Sequence, residues 1–316
     1  MRRALLAPEA GLLAVVLVWG VNFAVIKVPL EVAPPFTVNA LRFAVSLVVL
    51  GALHLRQSRS RGVSPLVTFQ AGGVWGVVGL GLLGILIYQV AFILGVDRVS
   101  AGTAALLIAT SPAWTALTAH LLKQERLLAL GWAGFAASLG GVVLVVVGNP
   151  AAALEGERSG LVLMLAAALA WGVYTTLARP VLDRGATPTG LTFWGIVVSA
   201  PGLLALAAPE AASVDWGAFD VWDVAALLFS GGLSTGLAYA IWNTSVQTVG
   251  ASKTAAFSNL VPVVGVVAGV VIWGERVTLP QVVGGALIVV GVIVVRRFGI
   301  APVARPQGPA DGVRRR

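Results

Sequence analysis

The chain has 316 residues, of which 58% are hydrophobic and only 11% charged, with no cysteine and a formal net charge of +8. Soluble domains carry about 25% charged residues, so this composition cannot cover a water-facing surface; it belongs to an all-α integral membrane protein, and the alternating segments of a β-barrel are absent. Without cysteine there are no disulfides, thiol chemistry or cysteine-based metal sites, and the positive charges sit in short loops and the tail, where they set membrane orientation rather than bind nucleic acid.

At the N-terminus, Met1-Arg2-Arg3 precedes an apolar run from Gly11 to Val28. The run is too long for the h-region of a signal peptide and no small-residue cleavage site follows it, so it reads as a retained first span. Nine more stretches of spanning length follow. The ten expected helices cover approximately 10–29, 35–55, 70–95, 101–122, 128–148, 160–179, 188–208, 222–247, 251–273 and 279–296. Short connections carrying charge, Pro or Gly separate them. The longest lies between Pro209 and Val221 and holds Glu210, Asp215 and Asp220. Beyond the last span the chain is rich in Pro, Gly and Arg, and residues 299–316 are expected to form a disordered cytoplasmic tail. With the N-terminus inside, 16 Lys and Arg fall on the inner side, 4 on the outer side, and Arg42 lies within a span. That bias expects both termini in the cytoplasm of a prokaryotic-type inner membrane.

Two long stretches nearly repeat. The one from Ser100 through Ser111-Pro112 to Glu125-Arg126 is answered by the one from Gly250 through Val261-Pro262 to Glu275-Arg276. Trp19-Gly20-Val21-Asn22 is answered by Trp171-Gly172-Val173-Tyr174, Leu41-Arg42-Phe43 by Leu191-Thr192-Phe193, and Gly134 and Gly141 by Gly284 and Gly291. The unit is half the chain, which divides it into five-helix repeats at 1–150 and 151–298. An odd number of spans per half requires the second half to enter the membrane the other way up. The expected fold is therefore ten transmembrane helices in two inverted five-helix repeats around a central cavity, the architecture of secondary transporters.

These residues carry a family resemblance. Trp19-Gly20-Val21-Asn22-Phe23, Leu41-Arg42-Phe43, the mid-span Pro112 and Pro262, the second-half opening Trp171 to Arg179, and Gly274-Glu275-Arg276-Val277-Thr278 running into Gly284 and Gly291 together resemble the EamA family of the drug/metabolite transporter superfamily. The resemblance covers residues 10–297. It implies two inverted five-helix repeats around a cavity and transport of small metabolites, often amino acids, usually outward.

Candidate substrate-binding residues lie at mid-depth. Trp19 and Asn22 share a face of the first span, and Trp171 and Tyr174 stand equivalently in the sixth. They read either as facing walls of a cavity or as ordinary helix packing. Arg42, about 10 Å into its span, reads either as a bidentate anchor for a carboxylate or as a side chain snorkelling to the outer surface. Tyr88, Gln89 and Phe92 in the third span, Trp114 in the fourth, Thr235, Tyr239, Trp242 and Asn243 in the eighth and Asn259 in the ninth add polar and aromatic groups that suit a neutral or zwitterionic solute. Taken singly, each reads more simply as an interhelical hydrogen bond. Pro112 and Pro262 interrupt the helix ladder and are expected at kinks or gates. Glu125 and Glu275, each followed by Arg, are read as interfacial caps or topology locks and as candidate gates on opposite faces.

Two absences shape the functional reading. No carboxylate lies deep in a span, so a carboxylate proton relay is not supported. The run Gly79-x-Gly81-x-x-Gly84 lies inside an apolar helix with no strand before it and is not a nucleotide loop. His54, assigned to a loop, and His120, near the inner end of the fourth span, form no catalytic constellation. The expectation is a non-ATP transporter, an exporter of small organic metabolites such as amino acids, without cofactor or metal and with the bilayer and a small-molecule substrate as partners. A channel or facilitator, or a non-transporting membrane scaffold, is the alternative.

Overall fold

The computed structural model describes residues 2–148, 155–249, 257 and 259–302. It is helical almost throughout. In chain order the helices are α1 (Arg2–Val25), α2 (Pro35–Arg61), α3 (Val67–Gly81), α4 (Tyr88–Arg98), α5 (Ala101–Ile108), α6 (Ser111–Leu121), α7 (Ala129–Val147), α8 (Glu155–Asp183), α9 (Pro188–Ala211), α10 (Val221–Leu228), α11 (Ala238–Val249), α12 (Val261–Trp273) and α13 (Leu279–Phe298). Among the described residues, 9 stretches are long and apolar enough to cross a membrane; α12, with 13 residues, is shorter. The expected ninth span, 251–273, lies outside the described residues over most of its first half.

Local sequence explains the helix ends. Proline opens α2, and Gly62, at φ 60, closes it in the left-handed conformation. Asp220 and Asp223 form a reciprocal capping box before α10, and Thr278 and Gln281 do the same before α13. Apolar side chains cover the outside, as lipid contact demands: Trp75 is 85% exposed and Val271 75%.

Three expected continuous spans are interrupted. The third stretch changes direction at Gly73 (φ 68, ψ 164) and winds into a π-helical segment, Leu82–Ile87, between α3 and α4. The eighth carries a second π segment, Phe229–Leu237, between α10 and α11. The fourth breaks between α5 and α6. Pro112 sits in the first turn of α6 and Pro262 in the first turn of α12, so each proline starts a helix rather than kinking one. Its missing N–H costs nothing there. The tail also differs at its start. Ile300–Pro302 pairs antiparallel with Glu125–Leu127 as a two-stranded sheet, and residues 303–316 lie outside the described residues.

Glycine decides which helices meet. α7 and α13 run antiparallel with backbones in contact. A Cβ on Gly134 would stand 2.7 Å from the Gly291 carbonyl oxygen, and one on Gly141 would stand 2.5 Å from that of Gly284. Between these contacts Ser138 Oγ donates to the Ile288 carbonyl at 3.2 Å, and these two residues are 150 apart. The same offset carries Gly134 to Gly284 and Gly141 to Gly291, so exchanging the halves reproduces the contact set. Gly20 of α1 likewise admits Val264 of α12, while Gly172 of α8 admits Trp114 of α6. Small residues are what let backbones approach where lipid offers no hydrophobic drive to associate.

Gly141→Ala is therefore expected to destabilise the folded protein by about 1–3 kcal/mol through overpacking. Gly76→Ala, where nothing lies within 4 Å of the added carbon, should change stability by less than about 0.5 kcal/mol. Thermal melts of the purified variants in detergent check the contrast.

Candidate functional site

Six of the expected substrate-binding residues come together in one chain of rings. Trp242 and Tyr239 of α11 lie 5.0 Å and 5.5 Å from Trp19 of α1. Tyr239 meets Trp171 of α8 at 6.0 Å, and Trp171 meets Tyr174 at 5.3 Å and Tyr88 of α4 at 5.1 Å. Phe92 continues the chain from Tyr88 at 5.8 Å. The contacts tie both halves of the sequence together in one aromatic wall. Such tilted and edge-to-face pairs are the favoured arrangements of aromatic rings.

The π segments set this wall. Each ends immediately before a helix that begins with a wall residue or its neighbour, Tyr88 in α4 and Ala238-Tyr239 in α11. A π turn adds a residue to the winding and re-aims every side chain after it, which is why such turns concentrate at functional positions. Trp19 Nε1 donates to the carbonyl of Ser234, inside the second π segment, at 2.9 Å. Tyr174 lies against Gly84, inside the first. Neither π segment was legible in the sequence, although both are glycine-containing and stand in equivalent positions of the two halves.

Arg42 is the only charged side chain at the wall's edge among the described contacts. It is buried, and it does not snorkel. Nη1 donates to Gln89 Oε1 at 3.3 Å and Asn39 Oδ1 at 3.4 Å, and Nη2 donates to Thr235 Oγ1 at 3.3 Å. The guanidinium carbon lies 5.2 Å from the Phe43 ring centre and 5.7 Å from that of Phe92. Its protein partners are neutral, and its Nε has none. Asn22 Oδ1, Asn39 Nδ2, Thr37 Oγ1 and Ser230 Oγ are also buried without a partner. Neutral oxygens and rings hold a buried cation in place but do not neutralise it, and the open Nε–H of the same guanidinium is a donor free for an incoming anion.

Other expected residues lie elsewhere. Trp114 does not join the wall. Gly172 packs on its Cβ, its Nε1 donates to Thr110 Oγ1 at 3.2 Å, and its ring meets Phe135 edge-on at 5.3 Å. Asn22 is buried on the wall-bearing helix. Asn259 is half-buried in the turn before α12, and the side chain of Asn243 is outside the described residues. His54 is not in a loop: it is buried within α2, hydrogen-bonded through Nε2 to the Pro65 carbonyl at 3.0 Å and stacked on Phe193.

The two glutamates differ. Glu275 places its carboxylate on the first backbone N–H groups of α5, accepting from Ala101 N and, at 2.9 Å, from Gly102 N. Close by, Lys27 Nζ donates to the Val96 and Val99 carbonyls at 2.8 Å each. Glu125 instead pairs with Arg179 at 2.8 Å, on the surface. A carboxylate across helices, supplying a helix N-terminus with acceptors, is not readable from local sequence. Glu210 is a second such cap, accepting from Phe36 N at 2.9 Å and Thr37 N at 3.1 Å at the start of α2.

Glu275→Ala should cost about 0.5–2 kcal/mol of stability through the lost cap, while Arg179→Gln at the exposed pair should cost less than about 1 kcal/mol. Melting temperatures of the two variants give the comparison, and equal losses would contradict it.

Comparison with known proteins agrees with this architecture. The model of the EamA-like transporter family matches residues 8–147 and again 158–297. A Salmonella typhimurium protein named "Probable amino-acid metabolite efflux pump" is 29% identical over 94% of this chain and 97% of its own length. A Streptantibioticus cattleyicolor protein named "Probable terminal-alkyne amino-acid exporter" is 29% identical over 91% of this chain and 92% of its own. One solved crystal structure superposes with a TM-score of 0.61 at 22% identity, covering 92% of this chain and 97% of that one, which speaks for the fold alone. With both halves matched by the same family model, the chain belongs to the EamA-like transporter family.

Proposed function

We propose that the protein is a secondary transporter that exports amino acids or closely related metabolites by alternating access. The single observation that carries the reading is Arg42: a buried guanidinium with only neutral partners, at the end of an aromatic wall shared by both halves of the chain. In this reading a substrate carboxylate takes the guanidinium as a bidentate partner, with Gln89 and Thr235 orienting it. The ammonium and side chain of the substrate lie against Trp19, Tyr88, Trp171, Tyr174, Tyr239 and Trp242, whose ring faces attract cations. The exporter names of the two relatives favour the same substrate class and direction.

The architecture we propose has ten spans in two inverted repeats, with both termini cytoplasmic. α12 belongs to the ninth span. The exchange-symmetric glycine contacts of α7 and α13 and the inner excess of Lys and Arg support this arrangement. Rocking of the halves about that contact opens the wall to one face at a time. Glu275 closes the outer end in the present state by docking on α5, and Glu125 is its counterpart at the inner end.

Counterflow of labelled amino acids in proteoliposomes tests the transport reading. Arg42→Gln should lower counterflow of carboxylated substrates about ten- to a hundredfold, the loss of one or two charge-assisted hydrogen bonds. Arg42→Lys should retain part of it. Unchanged counterflow in Arg42→Gln overturns the anchor, and rapid flux without counterflow identifies a channel.

A further inference from the structure

A second feature lies away from the aromatic wall, on the far end of α2. The helix has 27 residues and is about 40 Å long, whereas a bilayer's hydrocarbon core is about 30 Å thick. With Arg56, Arg59 and Arg61 near its C-terminal end, we place the last two turns at headgroup level. One side of these turns is committed inward, with His54 and Ser58 buried. The other side, formed by Ala52, Leu55, Arg56, Arg59 and Ser60, is an exposed, shallow groove open to the surroundings. No carboxylate among the described residues pairs with Arg56 or Arg59. One turn before the groove, on the same side, Val48 is 73% exposed, and Leu55 within it is 46% exposed.

The face thus has two parts in the order a lipid presents them: two exposed guanidinium groups near the end of the helix, then a strip of exposed apolar side chains along it. We propose that this face of α2 binds an anionic phospholipid, its phosphate between Arg56 and Arg59 and one acyl chain along Leu55, Ala52 and Val48. Arginine suits this ligand because its planar fork meets phosphate oxygens in pairs. Basic pockets beside transmembrane helices are where anionic headgroups settle in a membrane. The helix end also tethers the next loop, because His54 and Trp194 both bond the Pro65 carbonyl at 3.0 Å. Occupancy by lipid would therefore brace the α2–α3 connection.

Native mass spectrometry of the full chain, released from mixed phosphatidylglycerol and phosphatidylethanolamine nanodiscs, tests the site without reference to transport. The parent should retain phosphatidylglycerol adducts in preference to phosphatidylethanolamine. Arg56→Gln with Arg59→Gln should lower the phosphatidylglycerol adducts at least threefold and leave phosphatidylethanolamine unchanged. Ala52→Trp, which covers the groove and keeps both charges, should lower them too, and unchanged adducts in this variant overturn the placement of the acyl chain. Arg126→Gln with Arg184→Gln removes equal charge elsewhere and should leave them intact. Equal retention in the parent and the Arg56/Arg59 double variant overturns the proposal, as does equal loss in both double variants. Displacement of the lipid by millimolar inorganic phosphate overturns the choice of lipid over free phosphate.

Discussion

The backbone-to-backbone contact of α7 and α13 is the constraint on which the rest of the molecule depends. Lipid tails are as apolar as the helices they surround, so the hydrophobic effect that packs soluble helices supplies little here. Close approach replaces it. Gly134 against Gly291 and Gly141 against Gly284 bring carbonyls and Cα atoms of the two helices within van der Waals reach, and the Ser138–Ile288 hydrogen bond lies between. Because the pairs interchange when the halves are exchanged, one contact serves both halves equally. The proposed rocking about it would need no asymmetric hinge.

From that contact outward, energetic roles are divided between small, aromatic and charged residues. Gly20 and Gly172 let α1 and α8 close on α12 and α6. The tryptophans that precede them, Trp19 and Trp171, are then carried into the wall. Arg42 would be costly in a purely apolar interior, yet three neutral oxygens and two rings hold it beside that wall. The carboxylates stay at helix ends, where Glu210 and Glu275 satisfy backbone N–H groups that the helices leave open. Charge at the ends and an unneutralised cation in the middle is an arrangement suited to receiving an anion from outside the protein.

Much of this was legible in the sequence, for reasons that differ by residue. The spans follow from hydropathy, and the family from the order of doubled motifs. The wall residues could be singled out because aromatic and polar side chains within spans need partners, and Trp19, Tyr88, Trp171, Tyr174, Tyr239 and Trp242 pack on one another. Trp114 carries the same signal and packs elsewhere, because its helix faces Gly172 rather than the wall. The two π segments stayed hidden, since a one-residue change in winding leaves hydrophobicity and composition untouched. The caps by Glu210 and Glu275 also stayed hidden, since acceptor and donors are about 170 residues apart and meet only in the fold. Proline marks a break in the helix, and at Pro112 and Pro262 the break lies immediately before the ring.

The central claim is that the two halves cross the membrane in opposite orientations, so that equivalent loops lie on opposite faces. The chain has no cysteine, so single cysteines can report on sidedness without background. Arg126→Cys and Arg276→Cys occupy equivalent places in the two repeats, and each is probed with a membrane-impermeant maleimide in spheroplasts, before and after permeabilisation. The account predicts that the cysteine at 276 reacts in intact spheroplasts and the one at 126 only after permeabilisation. Reaction of both from the same face would contradict the inverted arrangement.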